Sequence, residues 1–294
     1  MKFFLILILI TSTNNIFANN TLKLYFFPSP YKYNWNSPQT LAKSVIINTI
    51  LPSKYEYKST IGHAAVELKC GETFYALTGM SMNNKKEDDQ LILEDKIGLG
   101  ILFYPMAGRL QTKEELRKDI NDRIGSKDIS WIEFQINDLA CHRLKTYLTI
   151  YRNENIGDKY GLVFNPRKKE GAGCSAFAVS FLQIAGLLTD EYYLNWSRTI
   201  QTNKDLNGYN GSANEVSIFK MALGIKSTAW AKDSTNSIPL FFWEPNLMHQ
   251  WVRQNYKLEM EHQTGIYQIE TIGNSFGLKY DARFVIPDLG PLFY

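Results

Sequence analysis

The segment GAGCSAFAVSFLQIAG, residues 171–186, constrains the fold of this 294-residue chain more than any other. Cys174 follows two glycines, and apolar residues then recur at helical spacing until Gly186. The apolar residues are Phe177, Val179, Phe181, Leu182 and Ile184. This spacing predicts a helix that packs against a hydrophobic core and ends at Gly186. The chain is therefore expected to form a globular core with a cysteine at the first turn of one helix.

A cysteine at the start of a helix has two interpretations. The unpaired N–H groups and the helix dipole at that end favour negative charge, so the pKa of Cys174 would fall and a nucleophilic thiolate would form near neutral pH. Gly171 and Gly173 would allow a sharp turn that leaves the sulfur uncovered, and the Cys174 N–H could bind a developing oxyanion. The alternative is that Cys174 is a small buried apolar residue.

The amino-acid composition excludes few classes of protein. Apolar residues make up 45% and charged residues 21% of the chain, which is ordinary for a soluble globular protein. A net charge of +3 is too small to indicate nucleic acid binding. The short basic run NPRKKEG, residues 165–171, is interpreted as a solvated loop rather than an anion site.

The N-terminus has the pattern of a secretory signal. One lysine precedes an apolar run from Phe3 to Ile10, and polar residues then lead to Ala18, the expected cleavage point. A retained membrane anchor is the alternative, and no later run is apolar for long enough to span a membrane. The mature protein is therefore expected to be periplasmic or secreted.

Export makes the cysteine count informative, because an oxidising compartment pairs thiols and three is an odd number. A bridge between Cys70 and Cys141 would leave Cys174 as the free thiol. The count itself leaves the other pairings open.

Local patterns predict an α+β fold. Residues 21–30, 99–108 and 130–136 are expected to form strands, and residues 61–79 a β-hairpin that turns at Cys70-Gly71-Glu72. Helices are expected over residues 37–52, with Ser37 as cap, and over 112–124, 137–154 and 212–225. The charged segment 112–124 is expected at the surface. Residues 241–256 are either a helix or an aromatic packing segment, and residues 277–290 are expected to form a strand and tail.

A nucleophilic cysteine needs a base, and the chain has four histidines. His142 and His262 lie beside charged residues and are interpreted as surface positions, while His249 lies in an aromatic segment. His63 follows a glycine, opens an apolar strand and precedes two alanines, so it could face a cleft. A satisfied core histidine is the alternative at this position.

The segments IGHAAVEL and GCSAFAVSFLQIAG, in that order, resemble the circularly permuted papain-like superfamily. That group includes permuted relatives of NlpC-type cell-wall peptidases, lecithin retinol acyltransferase and bacterial lipoprotein N-acyltransferases. The resemblance covers the hairpin 61–79 and residues 160–187. It implies a cysteine helix packed on a small antiparallel sheet, with residues 19–190 as the catalytic core. Residues 191–294 would then be a helical or irregular C-terminal extension packed on that core and not independent.

The resemblance also implies further site residues. A third polar residue, on the strand after the histidine, would orient the imidazole. This role falls on Tyr75, twelve residues after His63, a spacing at which the acyltransferase relatives carry a second histidine, and Thr78 is held in reserve. Glu67 lies four residues from His63 on the same strand, about 13 Å away, which is too far. Tyr160 matches a tyrosine that lines the cleft in relatives. Gly173 is expected to contact substrate as well, although relatives commonly carry asparagine there and glycine supplies no side chain.

The implied mechanism is acyl transfer through a thioester, with Cys174 as nucleophile, His63 as base and then acid, and no metal or cofactor. The histidines and cysteines also lack the close spacing of a zinc site. Three functions are open. The first, which the sequence favours, is an exported amidase or peptidase that acts on cell-wall peptide. The second is an acyltransferase or an acyl hydrolase of lipid or lipoprotein, with peripheral membrane contact. The third is a non-catalytic binding protein. A monomer is expected.

Overall fold

A six-stranded β-sheet is the central element of the computed structural model, which describes residues 19–56, 60–84, 90–208, 215–225 and 228–294. The signal sequence predicted for residues 1–18 lies outside the described residues. The strands are β1 (Thr21–Phe27), β2 (His63–Cys70), β3 (Phe74–Thr78), β4 (Met80–Met82), β5 (Met106–Leu110), β6 (Ser130–Gln135), β7 (Lys159–Tyr160), β8 (Ser197–Asn203), β9 (Ser237–Trp243), β10 (Gln268–Ile272) and β11 (Ser275–Asp281). The α-helices are α1 (Pro38–Ile50), α2 (Lys113–Arg123), α3 (Asp138–Asn153), α4 (Cys174–Ile184), α5 (Asp190–Trp196), α6 (Ile218–Ala222) and α7 (Pro245–His262).

The central sheet has the strand order β10-β11-β6-β1-β2-β3. Its pairs are antiparallel except for β11 and β6, which run parallel. Strands β4, β5 and β7 form a second small sheet, and β8 and β9 form a separate hairpin. The protein is therefore a mixed α+β structure, as the sequence predicts.

Both faces of the central sheet are covered, and β1 explains why. Side chains alternate along a strand, so Leu22, Leu24 and Phe26 face one layer while Tyr25 and Phe27 face the other. The first layer holds the apolar residues of α3, α4 and α7 and is the main core. The second layer is smaller and contains residues of α2. Helix α4 thus lies in the main core, on the β2 side of the sheet.

A second apolar cluster lies apart from the sheet. It combines the 3₁₀ turn Leu99–Leu102 and the helix α1 with α6 and the hairpin β8–β9. Ser37 caps α1, as the sequence predicts, through a reciprocal capping box with Thr40, and Pro38 occupies the first turn. This cluster forms one side of the pocket described below.

The C-terminal part of the chain contributes two strands to the central sheet itself. Strands β10 and β11 belong to the central sheet, where β11 lies between β10 and β6. The prediction that the core ends at residue 190 is wrong in this respect. Pairing between β11 and β6 joins residues 146 positions apart, and no local pattern indicates such a pairing.

Most predicted elements near the site are present. Strands β1 and β6, the β2–β3 hairpin and helices α1, α2, α3 and α4 lie where the sequence predicts them. The strand predicted over residues 99–108 is instead a 3₁₀ turn followed by β5, which begins at Met106. The helix predicted over residues 212–225 is only Ile218–Ala222 within its described part. The segment 241–256 divides into the end of β9 and the start of α7.

Candidate active site

The structure brings Cys174 and His63 together. Cys174 is the first residue of α4, His63 is the first residue of β2, and the helix packs directly against that strand. Both side chains are buried, and the thiol lies within hydrogen-bonding reach of the imidazole. The Ala64 N–H also donates to the sulfur, and the Ser175 hydroxyl lies 3.8 Å from it. The two groups that the sequence singles out are therefore one interacting pair.

The glycines before Cys174 allow this placement. Gly171 has a φ of +97°, and a Cβ there would lie 2.2 Å from the Lys159 carbonyl oxygen, so no other residue fits without displacing the backbone. Gly173 is the N-cap of α4 and has an ordinary φ of −76°. A Cβ at Gly173 would lie 3.2 Å from the Gly161 carbonyl oxygen. Gly173 lines the pocket and contributes no side chain to it, so it offers substrate only backbone contact.

Gln111 holds the far side of the imidazole. The Nε2 atom of His63 donates to the Gln111 Oε1 atom at 2.6 Å. This bond leaves Nδ1 as the ring nitrogen available to the thiol. Gln111 follows β5, and its N–H donates to the Gly79 carbonyl at 2.8 Å. A Cβ at Gly79 would lie 2.9 Å from Gln111 Oε1 and 3.3 Å from His63 Nε2. The absence of a side chain at Gly79 therefore gives the Gln111 amide room to reach the imidazole.

Tyr75 does not take the orienting role that was predicted for it. In the hairpin register it lies opposite Lys69, six residues beyond His63, which is about 20 Å along the strand. Its ring is 39% exposed and lies under the Lys113 ammonium group at 4.8 Å. Thr78, the reserve candidate, is buried, but its hydroxyl donates to the Gln111 carbonyl at 3.1 Å rather than to His63. The orienting prediction is therefore corrected to Gln111, with Thr78 supporting its backbone.

The interaction shifts both pKa values toward an ion pair. Burial raises the pKa of the Cys174 thiol, but the His63 charge and hydrogen bond outweigh burial and lower this pKa to about 7. Burial also lowers the pKa of His63, yet the Cys174 thiolate, its hydrogen bond, the Asp119 charge and the Gln111 hydrogen bond together raise it. The pair therefore favours thiolate and imidazolium near neutral pH, which is the state that a thiol nucleophile requires.

A buried ion pair lies behind the histidine. Asp119 and Arg123, one turn apart on α2, are joined at 2.7 Å and both are buried. The Arg123 guanidinium lies 5.3 Å from the ring centroid of Phe27, and Phe27 in turn stacks on His63 at 5.7 Å. The sequence placed this charged segment at the surface, and that expectation is wrong for these two residues. The i, i+4 spacing of opposite charges was the available signal.

Two hydrogen-bond donors lie beside the sulfur. The Cys174 N–H is in the first turn of α4, where a helix supplies no acceptor. The hydroxyl of Tyr160 lies 3.9 Å from the Cys174 sulfur, and the tyrosine is buried. Tyr160, which was predicted to line a cleft, therefore lines the pocket beside Cys174.

The pair opens into a pocket of about 320 Å³, within the usual range for small-molecule sites. One face of α1 lines it at Leu41, Val45 and Thr49, which follow the four-residue spacing of a helix. The remaining apolar lining comes mainly from Tyr33, Trp35, Met80, Met82, Ile92, Ile101, Leu102, Met106, Leu162, Phe242 and Trp243. The β8–β9 hairpin therefore supplies part of the pocket wall through Phe242 and Trp243, which the sequence did not indicate.

Polar groups in the pocket are mostly paired. The buried carboxylate of Glu244 accepts hydrogen bonds from Trp35 Nε1 at 3.0 Å and from Arg198 Nε at 2.8 Å. Burial raises the pKa of Glu244 despite these partners. Arg109 binds both oxygens of Glu115, at 2.7 and 2.8 Å. The pocket is thus apolar with a few fixed charges at its wall.

The other cysteines form a disulfide. Cys70 and Cys141 are bridged, with their Cα atoms 5.8 Å apart, and Cys174 is the free cysteine. The bridge ties the β2–β3 hairpin to α3. Over the described ranges no group of three or more His, Cys, Asp and Glu residues could hold a metal ion. None of the helices in that part of the chain has the length and apolar character to cross a membrane.

The remaining histidines lie away from the pocket lining. His142 and His262 are exposed, in agreement with their interpretation as surface residues. His249 contacts Phe276 and pairs through Nδ1 with the Ser130 hydroxyl at 2.9 Å. Burial and the nearby Arg253 lower the pKa of His249 to about 4, so it is neutral near pH 7. It is a packing residue, as its aromatic surroundings suggested.

Comparison with known protein families, with curated proteins and with solved structures finds no match to this chain.

Proposed function

We propose that the protein is an exported cysteine-dependent acyl-transfer enzyme that works through a thioester. The observation that carries this proposal is the buried Cys174–His63 pair, held by Gln111 at the wall of an apolar pocket. The order of a histidine strand followed by a cysteine helix, and the packing of α4 on β2, also support a permuted papain-like core.

The proposed reaction starts from the thiolate–imidazolium pair. The Cys174 sulfur attacks the carbonyl carbon of an ester or amide, and the oxyanion accepts hydrogen bonds from the Cys174 N–H and the Tyr160 hydroxyl. The carbon–leaving-group bond then breaks, and His63 gives its proton to the leaving alcohol or amine. Water or a second nucleophile, deprotonated by His63, attacks the thioester and releases the acyl group with the thiol restored.

The pocket favours an acyl substrate with an apolar chain. Most of its lining is aliphatic, aromatic or methionine, and burial of apolar substrate surface there is favourable. The sequence favours a cell-wall amidase or peptidase, but acyl transfer from lipid or lipoprotein, or its hydrolysis, is the function that the pocket lining supports best. A cell-wall peptide is the second candidate, because the same wall also holds the ion pair of Arg109 with Glu115 and the hydroxyl of Ser81, beside which a polar peptide could lie.

The test uses the purified protein with three substrate types: soluble nitrophenyl esters of short and long chain, phospholipid, and peptidoglycan fragments. Turnover of the long-chain ester or phospholipid, with a covalent acyl adduct on Cys174 detected by mass spectrometry, is the expected result. Cys174→Ala and His63→Ala are expected to lose this activity. His142→Ala, which changes an exposed histidine, serves as the matched control and is expected to keep it.

Cleavage of peptidoglycan fragments alone would select the second candidate. Full activity in Cys174→Ala, or an adduct on another residue, would refute the thioester mechanism. Tight binding of a substrate without turnover, unchanged in Cys174→Ala, would instead identify a non-catalytic binding protein.

A further inference from the structure

Helix α2 buries two charged side chains in a layer that is otherwise apolar. This layer covers one face of the central sheet and is built from residues such as Leu116, Phe27 and Ala65. Asp119 and Arg123 lie on the same buried side of α2 as Leu116, and Arg123 Nε donates to Asp119 Oδ1 at 2.7 Å. A buried ion pair commonly stabilises a fold no more than apolar residues of similar volume do. The pair therefore requires an explanation other than stability.

His63 lies on the same face of the sheet as α2. The pairing of β1 with β2 places His63 opposite Phe27, and the two rings stack at 5.7 Å. Side chains alternate along β2, so His63 shares its face with Ala65, whereas Ala64 faces the layer that contains α4. Asp119 and His63 also line the same pocket. The carboxylate therefore approaches the imidazole from the α2 side, while the thiol approaches it from the α4 side.

The ion pair presents its negative member to the pocket. The Arg123 guanidinium lies 5.3 Å from the ring centroid of Phe27 and 4.2 Å from that of Tyr55. Among the described residues that line the pocket, Asp119 is present and Arg123 is not. A negative charge close to an imidazole favours its protonated form. The orientation of the pair is therefore the one that stabilises a positive charge on His63.

The other charges in the pocket wall are held in separate ion pairs. Within the described part of the chain, the wall holds Arg109, which pairs with Glu115, and Glu244, which pairs with Arg198. Burial lowers the pKa of His63, but the Cys174 thiolate, its hydrogen bond and then the Asp119 charge raise it. Asp119 is therefore the carboxylate of the wall that acts on the imidazole.

We propose that Asp119 is a positioning residue for the Cys174–His63 pair. Its buried carboxylate, held in place by Arg123, stabilises the positive charge on His63, and the charged imidazole in turn stabilises the thiolate. The contribution of Asp119 to turnover rests on the proposed acyl-transfer function, whereas its effect on the ionisation of the thiol does not.

The experiment measures the rate of Cys174 alkylation by iodoacetamide as a function of pH in the purified protein. Asp119→Asn removes the negative charge at nearly constant volume and leaves Arg123 unopposed. Asp119→Asn with Arg123→Leu removes both charges, so it separates the effect of the carboxylate from that of an unpaired arginine. Asp119→Glu keeps the charge, and the matched control Asp122→Asn makes the same substitution at an exposed position of α2.

We expect the inflection of the alkylation profile to move to higher pH by about one unit in Asp119→Asn, because the imidazolium loses its counter-charge. The thiolate should then be about tenfold rarer at pH 6. The double variant should move in the same direction by at least half as much. Asp119→Glu and Asp122→Asn should keep the profile of the unchanged protein.

The double variant decides whether the carboxylate has an effect of its own. It is expected to fold, because neutral residues commonly replace a buried ion pair without loss of stability, and urea unfolding reports whether it does. It therefore tests the proposal even if Asp119→Asn alone does not fold. A profile of the double variant that coincides with that of the unchanged protein would overturn the proposal. So would a shift in Asp122→Asn as large as that in Asp119→Asn.

Failure of the proposed function has a different signature. A shift of the alkylation profile as expected, without any turnover of ester, phospholipid or peptidoglycan by the unchanged protein, would retain the role of Asp119 and reject the acyl-transfer enzyme. Turnover that depends on Cys174, with coincident alkylation profiles for the double variant and the unchanged protein, would do the reverse.

Discussion

Replacing Gln111 by leucine removes the hydrogen bond that holds His63 and keeps a side chain of similar size. The bond, 2.6 Å long, is one of the causes that raise the pKa of His63, so its loss lowers that pKa. Because the charged imidazolium is then less stable, it stabilises the Cys174 thiolate less, and the pKa of Cys174 should rise from about 7. Folding should persist, because the bonds from Gln111 N–H to Gly79 and from Thr78 to the Gln111 carbonyl use its backbone.

Nε2 donates to Gln111 in both charge states of the ring, so only the extra strength of the bond to the imidazolium is lost, about 1–1.5 kcal/mol, and the thiolate should become about 5- to 12-fold rarer at pH 6. The corresponding rise in the pKa of Cys174 is about one pH unit. The assay is the rate of Cys174 alkylation by iodoacetamide as a function of pH. The unchanged protein should react faster as the pH rises through about 7, with the inflection at higher pH in Gln111→Leu.

Two further variants test whether the shift of the alkylation profile comes from the lost hydrogen-bond acceptor at Gln111. Gln111→Glu keeps an acceptor oxygen and adds negative charge, so it should hold the inflection at or below that of the unchanged protein. Gln250→Leu changes an exposed glutamine on α7 and should not move it. Superimposable alkylation profiles for Gln111→Leu and the unchanged protein would refute the reasoning.

Two other substitutions test the surroundings of the pair. Gly79→Ala places a Cβ 2.9 Å from Gln111 Oε1, so it should displace the amide from His63 and lower kcat/KM about tenfold, or about 1.4 kcal/mol; unchanged kcat/KM would contradict this. Replacing Cys70 and Cys141 together by serine opens a loop of 71 residues, which should cost about 4 kcal/mol of unfolding free energy. Urea unfolding measures that loss, and an unchanged midpoint would count against it.

The pairing of Cys174 with His63 could be predicted because the signals at both positions are local. Glycines before Cys174 and apolar spacing after it specify a helix that begins at the sulfur. Gly62 before His63 and the alanines after it specify an uncrowded strand end. The disulfide followed in part from the odd number of cysteines in a chain with an export signal, although the count alone left the pairing open.

Gln111 could not be predicted, because its position depends on a change of direction after Thr78. The β2–β3 hairpin pairs only as far as Val66 and Thr78, and the chain then passes into β4, which pairs with β5 instead. Gln111 at the end of β5 therefore reaches His63, whereas a straight hairpin would have placed a residue beyond β3 there. The prediction of Tyr75 used a spacing from the resembled family and took no account of the strand register.

The residues that line the pocket could not be predicted from local sequence patterns either. Trp35, Ile92 and Phe242 meet in one cluster although they lie far apart in the chain. Each lies in a segment whose own pattern is compatible with ordinary packing. Only tertiary structure shows that these segments leave a cavity beside the thiol.

The position of β11 has a consequence for how the chain reaches this structure. Until residues 275–281 have been synthesised, β6 has one edge whose N–H and C=O groups lack their neighbour. Such an edge can pair with another chain, and pairing between strands so distant in sequence forms slowly. A nascent chain would therefore gain from being kept unfolded until nearly all of it has been made.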